Sequence, residues 1–128
     1  MNDQFSILVA EDHPDSRDAL RTLLEACGYN VIVAGDGEEA VRRAVETRPD
    51  LILMDLMMPG VDGIEAARRL RREGAFRNIP MVALTAMEGG RERALDAGFD
   101  DFVSKPINLP NFLRKLDLWL RPQAPEVG

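Results

Sequence analysis

The stretch from Leu51 to Gly60 constrains this chain more than any other part of its sequence. Four apolar residues, LILM, run without alternation into Asp55, and a Pro-Gly pair follows at Pro59. Such a run, bounded by turn formers, favours a strand covered on both faces, as in a parallel sheet between helices. Asp55 is then expected at the carboxyl edge, where open α/β sheets bind ligands. An isolated Asp after a strand more often only starts a turn, so its interpretation depends on what else reaches that edge.

Size and charge narrow the classes of protein that fit. The 128 residues, 45% of them hydrophobic, are enough for one domain with its own core. The 16 Lys and Arg against 22 Asp and Glu give a net charge of -6, so direct nucleic-acid binding is not expected. The single cysteine, Cys27, cannot form an internal disulfide, and no apolar run approaches a membrane span. We therefore expect a cytoplasmic protein without membrane contact; the N-terminus also lacks the basic start of a signal peptide.

Short apolar runs recur along the chain and alternate with helical periods. The predicted strands are 5–10, 30–34, 51–55, 81–84 and 102–104. Asp36 and Asn108 are expected to cap the second and last helices, and Gly98 to end the fourth. Five strands alternating with five helices imply βαβ units with right-handed crossovers, and hence an α/β fold with a doubly wound parallel sheet.

The helical periods predict which side chains face the core. The expected inward faces are Ala19, Leu20, Leu23, Leu24 and Cys27 in the first helix, Ala40, Val41, Ala44 and Val45 in the second, Ile64, Ala67 and Leu70 in the third, and Leu109, Leu113, Leu116 and Leu120 in the last, flanked by Phe112 and Trp119. A solvated outer face is expected for Arg68, Arg69, Arg71 and Arg72.

Polar side chains follow four of the five predicted strands. They are Glu11 and Asp12, Asp55, Thr85, and Lys105, whose extended backbone is favoured by the Pro106 that follows. If the first, third, fourth and fifth strands are neighbours, these groups converge. Three close carboxylates repel one another, so such a site is stable chiefly with a cation, and an all-oxygen set suits Mg²⁺, with Mn²⁺ as an alternative. The lysine and the hydroxyl would then hold a phosphoryl group carried by the aspartate nucleophile, Asp55.

This ordered set, with Met57-Met58-Pro59-Gly60 behind Asp55, resembles the receiver domain of bacterial two-component response regulators over about residues 5–120. The resemblance implies a flavodoxin-like (βα)5 fold with strand order 2-1-3-4-5. It implies that Asp55 accepts phosphate from a histidine kinase or a histidine phosphotransfer protein. Asp12 and Asp55 would bind Mg²⁺ through side chains and Met57 through its backbone carbonyl, with Glu11 acting through a metal-bound water. Thr85 would move towards the phosphoryl group and Lys105 would pair with it, and the Lys105-Pro106 bond is commonly cis in the family.

Two features depart from the family pattern. The switch aromatic, three residues before the lysine, falls on Phe102, which has no hydroxyl group to hydrogen-bond. The interval from Thr85 to Lys105 is a couple of residues shorter than is usual, so the loop after Thr85 or the fourth helix is expected to be shortened. That surface commonly carries the output signal.

The favoured function is a phosphoacceptor signalling domain that assists its own phosphorylation and dephosphorylation, with a downstream protein reading the switched surface. An Asp-nucleophile phosphatase is disfavoured because Met57 stands where a second acid is needed, and a flavin module because Glu11 and Asp12 would repel its phosphate. A single-domain regulator or phosphorelay carrier, monomeric or dimeric on phosphorylation, is expected. The alternative is the receiver portion of a hybrid kinase or a DNA-binding regulator. Residues 121–128 are expected to form a flexible tail.

Overall fold

The computed structural model describes residues 5–86 and 89–120. Its strands are β1 (Ser6–Ala10), β2 (Asn30–Ala34), β3 (Leu51–Asp55), β4 (Met81–Thr85) and β5 (Asp101–Ser104). Its helices are α1 (Pro14–Ala26), α2 (Gly37–Thr47), α3 (Gly63–Arg72), α4 (Gly90–Ala97) and α5 (Leu109–Leu120), with a short 3-10 helix at Gly74–Phe76. The five strands form one parallel sheet in the order β2-β1-β3-β4-β5, which confirms the predicted fold and topology.

The register of the sheet aligns the carboxyl ends of its strands. Ala10 on β1 pairs with Met54 on β3, Asp55 pairs with Leu84 on β4, and Thr85 pairs with Ser104 on β5. All five residues of β3 are buried, as expected for the central strand of a sheet covered on both faces. Glu11, Asp55, Thr85 and Lys105 therefore emerge along one edge.

Two apolar clusters lie on opposite faces of the sheet. The cluster under α2, α3 and α4 includes Ala40, Ala67, Leu70 and Ala94. The cluster under α1 and α5 includes Leu24, Phe112 and Leu116. Asp36 caps α2 through the backbone N–H of Glu39, and Asn108 caps α5 through that of Asn111, as predicted.

Several predicted core positions were wrong. In α5 the buried stripe is Phe112, Leu116 and Leu120, while Leu109 and Leu113 are 48% and 38% exposed. The stripe follows the i, i+4, i+8 row that starts at the large Phe112 ring, which turns the row starting at Leu109 outwards. Val45, at the solvent side of α2, is 44% exposed, and Ala19 of α1 is also exposed.

Arg71 does not belong to a solvated face. Its guanidinium is half-buried and donates to the backbone carbonyls of Gly98 and Ile79 and to the carboxylate of Asp100 at 2.7 Å. It therefore ties α3 to the segments on either side of β4. Arg68 and Arg72 are exposed as predicted. The predicted tail, residues 121–128, lies outside the described residues. Among the helices of residues 5–86 and 89–120, none has the length and hydropathy of a membrane span.

Candidate functional site

Lys105 links the strands at the carboxyl edge of the sheet. Its ammonium donates hydrogen bonds to Glu11 Oε1 and to Asp55 Oδ2, both at 2.7 Å. Its backbone N–H donates to the carbonyl of Thr85 at 2.8 Å, and the peptide bond to Pro106 is cis. One lysine thus contacts Glu11, which follows β1, and the last residues of β3 and β4, although all three are far apart in sequence.

The carboxylates of Glu11, Asp12 and Asp55 form one cluster. One oxygen from each lies within 4.8 Å of the others. Glu11 and Asp55 are only 1% and 7% exposed, whereas Asp12 is exposed. Backbone groups fix the two buried acids, since Met57 N–H donates to Asp55 Oδ1 at 2.9 Å and His13 N–H donates to Glu11 Oε2 at 3.2 Å.

The charges of the site are coupled. Burial raises the pKa of Glu11 above its ordinary 4.5, and the charge of Asp55 adds to the rise, although hydrogen bonds from Lys105 and His13 oppose it. Burial alone would lower the pKa of Lys105, but the hydrogen bonds and charges of Asp55 and Glu11 outweigh it and raise that pKa above 10.5. Lys105 is therefore an ammonium near neutral pH, and its single positive charge does not balance the three acids.

The donor set fits a hard divalent cation. Carboxylate oxygens without histidine or cysteine are the ligands that Mg²⁺ prefers. Asp12, the exposed member, borders a cavity of about 440 Å³ that is also lined by Met57, Asp62 and Arg93. Lys105 does not line this cavity, so an ion can approach Asp12 from it without meeting the ammonium.

Two glycines hold helices against the site. A Cβ on Gly63, the first residue of α3, would lie 2.2 Å from the backbone oxygen of Asp55. A Cβ on Gly90, the first residue of α4, would lie 2.7 Å from the hydroxyl oxygen of Thr85, which is 3% exposed. Both helices thus begin in direct contact with a residue proposed for the chemistry.

Phe102 lies away from the acid cluster. It is partly buried on β5, packed on the core of the α3 and α4 face, and the Arg91 guanidinium lies 6.0 Å from its ring centre. Phe102 was predicted from the sequence as a switch residue, whereas no functional role was predicted for Gly63, Gly90 or Arg91. The two glycines were visible as residues opening helices after site strands; nothing in the sequence pairs Arg91 with Phe102.

Fold and site together define a class: a doubly wound α/β domain with a lysine-bridged acidic site at the carboxyl edge of its sheet. The profile of the response regulator receiver domain family matches residues 7–117. The chain therefore belongs to the response regulator receiver domain family.

Individual relatives agree with this assignment. The polar-differentiation response regulator DivK of Brucella anthropi is 39% identical over 117 residues, covering 90% of this chain and 95% of that protein. The response regulator MprA of a Mycobacterium species is 40% identical over 124 residues, covering 95% of this chain but 53% of MprA. The chain thus spans nearly all of one relative and about half of the other.

Solved structures also match. The receiver domain of a sensor histidine kinase from Pseudomonas aeruginosa has a TM-score of 0.85 and 38% identity, covering 92% of this chain and 98% of that one; it holds a magnesium ion in its active-site cleft. The chemotaxis protein CheY4 of Vibrio cholerae has a TM-score of 0.84 and 27% identity, covering 91% and 98%. Receiver domains as a class are phosphoacceptor signalling domains of two-component systems.

Proposed function

We propose that Asp55 accepts a phosphoryl group from a phosphohistidine and that the resulting acyl phosphate switches a partner-binding surface. The observation that carries the proposal is the bridge from the Lys105 ammonium to Glu11 and Asp55 at 2.7 Å each. A lysine held at this position can neutralise charge on a group attached to Asp55.

In the proposed step the phosphorus–nitrogen bond of the donor breaks and a bond forms between phosphorus and an Asp55 carboxylate oxygen. Asp12, Asp55 and the backbone carbonyl of Met57 would hold Mg²⁺, with Glu11 acting through water; Mn²⁺, which also prefers oxygen ligands, is the alternative. The bound ion would supply positive charge to the oxygens of the transferred group. Lys105 would leave its Asp55 oxygen to pair with one phosphoryl oxygen, while remaining close to Glu11.

Thr85 and Phe102 are proposed to carry the switch. The Thr85 hydroxyl would turn towards the phosphoryl group, and Phe102 would change its packing on the α4 side of β5. Such a change shifts a pre-existing equilibrium between two arrangements, one of which a downstream protein binds better. If the protein that binds this arrangement is a second copy of the chain, phosphorylation would cause dimerisation.

An apolar groove supports a donor protein as the phosphate source. The groove, of about 420 Å³, runs from Glu11 and Lys105 between α1 and the start of α5, where Leu20, Leu23 and Leu109 line it. An apolar helix face of a histidine kinase or phosphotransfer protein seated there would bring its phosphohistidine to the edge of the site. Leu109 is exposed on that route.

The near-complete match to DivK favours a single-domain regulator or phosphorelay carrier. A cytoplasmic location is part of the proposal. The alternative, a receiver portion of a larger kinase or DNA-binding regulator, is supported by the kinase receiver structure and by the half-length match to MprA.

The test is phosphorylation of the purified protein with Mg²⁺ and a small phosphodonor such as acetyl phosphate, followed by intact mass spectrometry. We expect one phosphoryl group per chain, and none on Asp55→Asn. Asp96→Asn is the matched control because Asp96 is an exposed acid of α4 outside the cluster, and it should be labelled like the parent. Equal labelling of Asp55→Asn and the parent would contradict the proposal, as would absence of label on the parent.

A further inference from the structure

The first turn of α4 contacts both proposed switch residues through two consecutive positions. Gly90 lies against Thr85, and Arg91 lies over Phe102. Thr85 ends β4 and Phe102 lies on the neighbouring edge strand β5, so α4 begins across the junction of these two strands.

The contact with Thr85 is steric. Gly90 lies so close to the Thr85 side chain that an added Cβ would be 2.7 Å from Oγ1 and 2.9 Å from Cγ2. A rotation of the Thr85 side chain towards Asp55 therefore changes the packing around Gly90, the first residue of α4. The position of α4 and the rotamer of Thr85 depend on each other for this reason.

The contact with Phe102 is electrostatic. The Arg91 guanidinium carbon lies 6.0 Å from the centre of the Phe102 ring, at the outer limit of a cation–π interaction. Arg91 is exposed and Phe102 is partly buried, so the contact lies near the protein surface. Because phenylalanine has no hydroxyl group, this contact gives the ring a polar partner in its observed position.

We propose that Arg91 is a positioning residue that holds Phe102 in the unphosphorylated arrangement, so that the first turn of α4 couples Phe102 to Thr85. The proposal rests on the proposed function, since it concerns the switch of the same site. A contact made in only one of two arrangements stabilises that arrangement and weakens any ligand that requires the other. Arg91 therefore opposes activation, by the strength of one solvent-exposed cation–π contact.

The experiment measures binding of beryllium trifluoride, an analogue of the phosphoryl group, in the presence of Mg²⁺ by isothermal titration calorimetry. Arg91→Met keeps an unbranched apolar stem but removes the cation, and we expect it to bind the analogue about two- to fivefold more tightly than the parent. Arg91→Lys retains a cation and should stay close to the parent.

A double-mutant cycle separates the contact from a general effect of charge. In a Phe102→Leu background there is no ring to hold, so adding Arg91→Met should leave the affinity for the analogue unchanged. An equal gain in both backgrounds, or an unchanged or weaker affinity of Arg91→Met in the parent, overturns the proposal. A parent that binds no analogue at all contradicts the proposed function itself, which distinguishes the two failures.

Discussion

Gly63 and Gly90 occupy equivalent places, since each is the first residue of the helix that follows a site strand. Gly63 lies against backbone atoms, however, and Gly90 lies against a side chain. An added Cβ at Gly63 meets the backbone of Asp55 and Leu56, at 2.2 and 2.9 Å. At Gly90 the three nearest atoms all belong to the side chain of Thr85. A backbone in the middle of a sheet cannot give way, whereas a threonine side chain can rotate. We therefore expect α3, which follows Asp55, to be fixed in position, and α4, which follows Thr85, to shift when the Thr85 side chain rotates.

The surrounding strands repeat this difference. Every residue of β3 is buried, whereas three of the four residues of the edge strand β5 are only partly buried and the last is exposed. Rigid packing in the centre holds catalytic groups in position, and a partly covered edge needs less energy to rearrange. The proposed chemistry would then take place at the rigid centre of the sheet, and the proposed signalling at its more easily rearranged edge.

Gly63→Ala should have the largest effect. The new methyl group would overlap the Asp55 carbonyl, so α3 or β3 must shift, and we expect the free energy of unfolding to fall by about 3 kcal/mol. Urea denaturation measures this loss. Gly74→Ala is the matched control because no atom lies within 4 Å of its added Cβ, and it should stay near the parent. A Gly63→Ala protein as stable as the control would show that the backbone around Asp55 can move to admit the methyl group.

Lys105→Met should have the next largest effect. It leaves the buried carboxylates of Glu11 and Asp55 without their ammonium partner, and without Mg²⁺ we expect a loss of about 2 kcal/mol in the free energy of unfolding. Mg²⁺ should recover part of the loss and bind more tightly than in the parent, since no cation competes for the acids. Lys115→Met, which removes a lysine 3.8 Å from Asp101, is the control. An unaltered response to Mg²⁺ would contradict the coupling.

Glu11 should make the stability of the metal-free protein depend on pH. Burial raises its pKa above the ordinary 4.5, so the folded state retains a proton that the unfolded chain releases as the pH rises past 4.5. The free energy of unfolding therefore falls as the pH rises above 4.5, whereas below 4.5 Glu11 is protonated in both states and adds no pH dependence. Glu11→Gln should flatten the fall, measured by urea denaturation at a series of pH values. The exposed Glu46→Gln should retain it; a fall that survives in Glu11→Gln would assign it elsewhere.

The sheet could be predicted from sequence because its signal is local. Unbroken apolar runs such as that before Asp55 exist only where both faces are covered, and the residue after each run marks the carboxyl edge. Caps at Asp36 and Asn108 were predictable for the same reason, since the residue itself makes the bond. The strand order, and the way in which Asp12, Asp55, Met57 and Glu11 would share the metal ion, were implied only by the resemblance to a family.

Features that depend on distant segments could not be predicted. Periodicity does not decide which of two overlapping apolar rows of α5 faces inwards, because the size of Phe112 and the space under the helix decide it. Arg71 looked like its exposed neighbours in sequence, but its partners lie near the start of β4 and before β5. The contact of Arg91 with Phe102 depends in the same way on where the chain re-enters the sheet.

Gly90→Ala should have the smallest effect on stability. Alanine favours the helix by about 0.5–1 kcal/mol, and rotation of Thr85 away from the new methyl group costs a similar amount, so the free energy of unfolding should change by less than about 1 kcal/mol. In a Thr85→Ala background the overlap is gone, and the same substitution should stabilise. Urea denaturation of the four proteins gives both numbers. If Gly90→Ala destabilises as strongly as Gly63→Ala, the Thr85 side chain is held as rigidly as the Asp55 backbone, and the edge of the site is no more yielding than its centre.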